Sequence, residues 1–189
     1  MKKKTKLGLL MSMGVIISMA IWHLMVPDVR HLPLTMREMM LLNSGFGDTT
    51  ALFELRRGEY ELHLYHYHFG ERVADELLNH EGVFNRTGLI AFYSNMSEDE
   101  TISFGMRTEG IYHPSFLTID LESFGGKGSE PLDDRIFRIR DEQALMSYQF
   151  TSNGGFRVIS NADFNGFGER LDAFAEIDHV VFITIRRVN

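Results

Sequence analysis

The chain contains no cysteine. Disulfides, zinc–thiolate sites, thiol nucleophiles and lipid anchors on cysteine are therefore all excluded. Stability must come from a packed core, which is feasible for one domain in 189 residues. The Gly-x-Ser-x-Gly elbow of serine hydrolases is also missing. Lys127 lies among glycines but is followed by Gly128, so the segment fails as a phosphate loop. There is no internal repeat, and low complexity is confined to Phe124–Glu130 (FGGKGSE), read as a flexible loop.

Basic charge is scarce, with 19 Lys and Arg against 26 Asp and Glu, a net of −7. Four of the lysines (Lys2, Lys3, Lys4 and Lys6) stand at the N-terminus, so the remainder carries 15 against 26, or −11. A domain this acidic is a poor partner for nucleic acid or anionic lipid headgroups.

What is present divides the chain in three. After the lysines, residues Leu7 to Val26 are apolar apart from a few small polar residues and His23. Twenty helical residues reach about 30 Å, enough to cross a bilayer core. Lysines remain on the cytoplasmic side, so the C-terminal domain is expected outside. Ser18-Met19-Ala20 also offers a cleavage site for a signal peptide, but the run stays apolar through Ile21, Leu24, Met25 and Val26, which favours an uncleaved anchor over residues 1–26. Residues 27–48 read as a juxtamembrane linker, bracketed by Pro27 and Pro33. It holds one short helix, Met36–Leu42, with Thr35 and Glu38 forming a capping box.

From residue 49 to 189 the pattern is β. Candidate strands are Thr49–Arg56, Glu59–His68, Glu71–Leu78, Gly88–Ser94, Thr101–Arg107, Ser115–Glu122, Arg135–Arg140, Ala144–Thr151, Gly155–Ser160 and His179–Val188. Phe69-Gly70 is a tight turn between the second and third. Ile102, Phe104 and Met106 alternate with Ser103 and Gly105, and Leu117, Ile119 and Leu121 with Thr118 and Asp120. Such strands bury one face. Val180-Val181-Phe182-Ile183 is apolar on both faces and is expected to be central, while Glu169–Glu176 has helical spacing through Leu171, Phe174 and Ala175. The expected fold is an antiparallel β-sandwich or jelly roll with one or two short helices, preceded by a transmembrane helix.

Two constellations carry candidate chemistry. In Tyr60–Phe69 (YELHLYHYHF), His66 and His68 share one strand face with Leu62 and Leu64, and His63 shares the other with Tyr65 and Tyr67. Imidazoles two apart on a strand can chelate a transition metal such as zinc, with Glu71 or Glu76 adding oxygen. In Asn161–Asp172 (NADFNGFGERLD), Asn161, Asp163 and Asn165 alternate ahead of Gly166, with Glu169 and Asp172 following. This resembles the start of an EF-hand calcium loop, which places hard oxygens at alternate positions and glycine at the sharp turn. It departs from that pattern with Asn first, Asp last and Gly168 in place of an apolar residue. The resemblance covers twelve residues and implies calcium held by Asn161, Asp163, Asn165, Glu169 and Asp172.

With no catalytic signature, the sequence points to a single-pass, membrane-held extracytoplasmic module that binds a protein, a glycan or a small ligand. The other expectation is an exported metal-dependent enzyme built on His66 and His68.

Overall fold

The computed structural model describes residues 15–19, 21, 25–35, 48–56, 58–78, 88–96, 101–108, 111–120, 126–132, 135–136, 139, 141–153, 155–157 and 166–188. Its strands are β1 (Val29–His31), β2 (Asp48–Leu55), β3 (Tyr60–His68), β4 (Glu71–Leu77), β5 (Gly88–Met96), β6 (Thr101–Thr108), β7 (Ile111–Asp120), β8 (Gly126–Pro131), β9 (Arg135–Ile136), β10 (Gln143–Thr151) and β11 (His179–Arg187). The protein is mostly β, as expected. Six strands form one sheet in the order β7-β6-β5-β2-β1-β9, and five form a second in the order β4-β3-β11-β10-β8. Every pairing is antiparallel.

One core takes side chains from both sheets. Phe53, Phe92, Ile102, Phe104 and Met106 come from the first, and Leu62, Leu64, Tyr148, Phe150, Val181 and Ile183 from the second. Phe104 meets Tyr148 edge-on with centroids 4.8 Å apart, so rings of the two sheets touch directly. Period-two alternation produces this: Ile102, Phe104 and Met106 are buried, as are Tyr60, Leu62, Leu64 and His66 on β3.

The second sheet is covered on its other face as well. Tyr65, Tyr67, Ala144, Val180 and Phe182 form a separate apolar cluster with Phe174 and Ile177, joined by the partly buried Phe167 and Leu171. Residues 166–177 thus lie as a strap over that face. This explains why β11 is apolar on both sides and central, between β3 and β10. The helix expected at Glu169–Glu176 is instead an extended segment with a single 3-10 turn, Asp172–Phe174. The strap is paired to the β3–β4 hairpin: the Arg72 amide donates to Glu169 O and the Leu171 amide to Gly70 O, both at 2.8 Å. The first of these bonds occupies the Glu169 carbonyl that a helix would offer to the Ala173 amide.

The β3–β4 turn is the expected one, with Phe69 at φ 48° and Gly70 at φ 79°. A Cβ on Gly70 would lie 2.7 Å from the Leu171 carbonyl oxygen. Gly70→Ala is therefore expected to cost about 2 kcal/mol by combining a left-handed backbone with a clash against main chain. Urea unfolding measures the loss, and faster tryptic cleavage after Arg170 reports the loosened strap.

Four further expectations are corrected. Residues 29–31, read as linker, form β1 between β2 and β9, and Val29 is 2% exposed in the core, so the folded domain begins ahead of residue 49. The FGGKGSE segment, read as a flexible loop, supplies β8 from Gly126 onward; the Phe156 ring lies where side chains on Gly126 and Gly128 would be, giving these edge glycines an apolar cover. At Gly155–Ser160, residues 155–157 are not a strand. The buried Gln149 side chain takes the place of a partner strand there, donating to Arg157 O at 2.6 Å and accepting from the Arg157 amide at 3.0 Å. The strand expected over Arg135–Arg140 is a two-residue β9. The helix expected at Met36–Leu42 lies outside the described residues.

Residues 15–19, 21 and 25 are helical. Among the described residues, no helix is long and apolar enough to cross a membrane. Val15, Ile16, Ile17, Met19, Ile21 and Met25 are each at least half exposed and belong to neither core.

Candidate functional site

Antiparallel register brings a third histidine to the two expected on β3. His179 opens β11 directly opposite His68, and Val181 faces His66. The His68 and His179 rings stack at 4.6 Å and 13°, and His66 Nε2 lies 3.1 Å from His179 Nδ1, a hydrogen bond whose direction depends on tautomer. The adjoining Asp178 carboxylate accepts from the Ser152 amide at 2.8 Å and from its hydroxyl at 3.1 Å, which fixes the end of the strand.

Neither β3 nor its histidines are at a sheet edge. His66 is 8% exposed, and burial pushes its pKa down to about 4, helped by the nearby charges of His179 and His68. His66 is thus neutral at pH 7 and can offer a lone pair. Its folded pKa lies below the ordinary value near 6.5, so the unfolded chain takes up the proton first. Stability is then fully present above about pH 6.5 and is lost as pH falls from there toward 4, by about 3 kcal/mol for this group. Urea midpoints measured across that range should show the loss, and His66→Leu should remove most of it.

The opposite face of β3 carries a polar network that the sequence did not reveal. Glu142 accepts from the Tyr65 hydroxyl at 3.1 Å and from the Thr184 hydroxyl at 2.5 Å. Tyr65 is stacked between His63, at 6.1 Å, and Phe167, at 5.0 Å, with the Arg72 guanidinium 5.7 Å from its ring centroid. Burial, followed by the Glu142 charge, raises the Tyr65 phenol, and burial pushes Tyr67 up to about 12. Both phenols therefore stay protonated at neutral pH and serve as donors. Tyr67 donates to Gly168 O at 3.0 Å, and Arg72 donates to Phe167 O at 3.2 Å and pairs with Glu169. These contacts fasten the strap.

Of the five residues expected to hold calcium, Asn161, Asp163 and Asn165 lie outside the described residues. Glu169 pairs with Arg72, and Asp172 accepts from Arg170 Nε at 2.5 Å. Each pairing uses one carboxylate oxygen, Glu169 Oε1 and Asp172 Oδ1. Gly166 has φ 115°, the sharp turn that its place in the motif requires. Among the described residues, no group of three or more His, Asp or Glu side chains is placed to hold a metal ion. His66 and His179 form a close pair, and His68 stacks on the face of His179 rather than converging with it.

A third arrangement lies where the N-terminal segment meets the domain. Asp28 is 4% exposed; it accepts from the Ile139 amide at 3.1 Å and lies 3.7 Å from Arg187 and 4.0 Å from Arg56. Its amide donates to Ile136 O and its carbonyl accepts from the Arg56 amide, both at 2.8 Å. Beside it, Met25, Val26, Pro27, Arg30, Glu54 and Arg56 line a cavity of about 290 Å³.

Comparison with protein-family models, with curated proteins and with solved structures found no match for this chain.

Proposed function

We propose that the chain is a β-sandwich module held at a membrane by its N-terminal segment and displayed on the extracytoplasmic side, where it binds a protein, a glycan or a small ligand. The observation that carries this reading is the exposure of six large apolar side chains between Val15 and Met25, while Asp28, three residues later, is already built into the domain. Water does not favour a continuous apolar surface of this kind. A bilayer is the partner that matches a twenty-residue apolar run preceded by Lys2, Lys3, Lys4 and Lys6. The acidic remainder suits an exposed, soluble surface.

Alkaline extraction of membranes tests the tether, and mass spectrometry of the retained protein tests cleavage. The reading expects the chain in the membrane pellet with its lysine-rich N-terminus intact. Release into the wash, or a mature N-terminus at Ile21, overturns it.

A second reading, an exported metal-dependent enzyme, is favoured by the arrival of His179 beside His66 and His68. It needs His68 to swing off the His179 ring and converge on a shared ion. A stoichiometric transition metal in the purified chain, lost on His66→Leu, would favour this reading; an apo protein after incubation with zinc would exclude it.

A further inference from the structure

We propose that the cavity at the root of the tether holds the headgroup of a glycerophospholipid, with its phosphate on Arg30 and Arg56. The proposal rests on the membrane-held reading, and it adds a specific lipid site to a general anchor.

Two features of the cavity converge on this ligand. Its volume, about 290 Å³, is that of a small-molecule pocket. Its walls are of two kinds: Met25, Val26 and Pro27 continue the apolar segment, and Arg30 and Arg56 bring two guanidinium groups beside them. A phospholipid has the same division, with apolar chains joined to an anionic phosphate.

The guanidinium groups are already oriented. Arg30 contacts Glu54 at 2.7 Å, and Arg56 lies 4.0 Å from the buried Asp28. Each guanidinium is a permanent positive charge in a planar fork whose geometry matches a phosphate. Arginine–phosphate pairs are often bidentate and strong where water is partly excluded. Glu54 lines the same cavity, and while one of its carboxylate oxygens pairs with Arg30, the other can meet the ammonium of an ethanolamine headgroup. The site accordingly favours phosphatidylethanolamine over phosphatidylglycerol. Its location agrees with the tether, because Met25 ends the described helical residues, at the depth where headgroups lie if the segment spans.

The test uses the full chain purified in a mild non-ionic detergent, offered phosphatidylethanolamine, phosphatidylglycerol or diacylglycerol, with retained lipid counted by native mass spectrometry. Wild type is expected to keep one phosphatidylethanolamine. Arg30→Gln with Arg56→Gln should lower retention about tenfold or more, since two charge-assisted contacts are lost. Arg56 lies near Asp28 and its loss could weaken folding. Arg30→Gln alone therefore serves as the second variant, and it too should lower retention while its melting temperature stays unchanged. Glu54→Gln should reduce the preference for phosphatidylethanolamine over phosphatidylglycerol.

Equal retention by wild type and by both arginine variants overturns the site. So does retention of diacylglycerol as strongly as phospholipid, or displacement of the lipid by millimolar inorganic phosphate. Failure here with the chain still resistant to alkaline extraction refutes the lipid site and leaves the tether intact. Release from the membrane refutes the tether itself.

Discussion

Removing residues 1–26 is expected to leave a protein that unfolds cooperatively, and removing residues 1–33 is expected to abolish that transition. The seven-residue difference contains Asp28 and the whole of β1. Without β1, β2 and β9 lose the strand that joins them, since Val29 is registered with Leu55 on one side and Ile136 on the other. Val29 is buried, worth about 1.5–3 kcal/mol. Asp28 accepts the Ile139 amide and stands beside Arg56 and Arg187, so its removal strands a buried donor and leaves two arginines without their shared anion. Asp28→Ala alone should cost about 2–4 kcal/mol. Combined with the lost pairing, the deletion approaches the 5–15 kcal/mol that holds a typical domain. Thermal denaturation of both truncated proteins, followed by near-ultraviolet circular dichroism, decides the matter; matching transitions would show β1 to be dispensable.

Phe182→Ala should be among the most damaging single changes, at about 3–5 kcal/mol. Phe182 is fully buried and meets Tyr67 at 6.0 Å, Phe167 at 5.6 Å and Phe174 at 5.5 Å. Those three rings come from β3 and from both halves of the strap, so the hole opens beneath the strap and not between the sheets. Two effects should therefore appear together: a lower urea midpoint, and tryptic cleavage after Arg170 under conditions where wild type resists. Phe104→Ala makes the contrast. It lies between the sheets against Tyr148 and Phe150 and should lower global stability without selectively exposing Arg170. Equal protease patterns in the two variants would mean that the strap does not depend on this second core.

Strands were legible wherever one face met the core. Ile102, Phe104 and Met106 alternate in the sequence and are buried in the structure, and the two-sided apolar run at Val180–Ile183 marks the central β11. Short pairings were not legible. Val29–His31 is too brief for a period to register, and its neighbours Pro27 and Pro33 suggest a linker. Gly126–Pro131 has no alternation because glycine contributes no side chain; its cover comes from Phe156, some thirty residues away. The strap misled for a physical reason: Leu171, Phe174 and Ala175 have helical spacing, yet a largely extended chain lying across a sheet can bury Phe174 and part of Leu171 while its Glu169 carbonyl accepts from the Arg72 amide and its Leu171 amide donates to Gly70 O. The candidate site was half visible. His66 and His68 share a face because a strand alternates, but His179 joins them through register between distant strands, and register is a property of pairing rather than of either segment. Glu142 was hidden likewise, reaching Tyr65 from 77 positions along the chain.

The join at Pro27 gives the domain almost no leash. Met25 is helical and Val29 is already in a sheet, so the described structure leaves only three residues between them. With its root in a bilayer, a folded body of this size sweeps a volume little larger than itself, tens of ångströms above the lipid surface. On the proposed reading, whatever the module binds has to come to the membrane, or live there. Any force acting on the domain would pass straight through Pro27 into the buried Asp28 pairings, with no slack chain to absorb it.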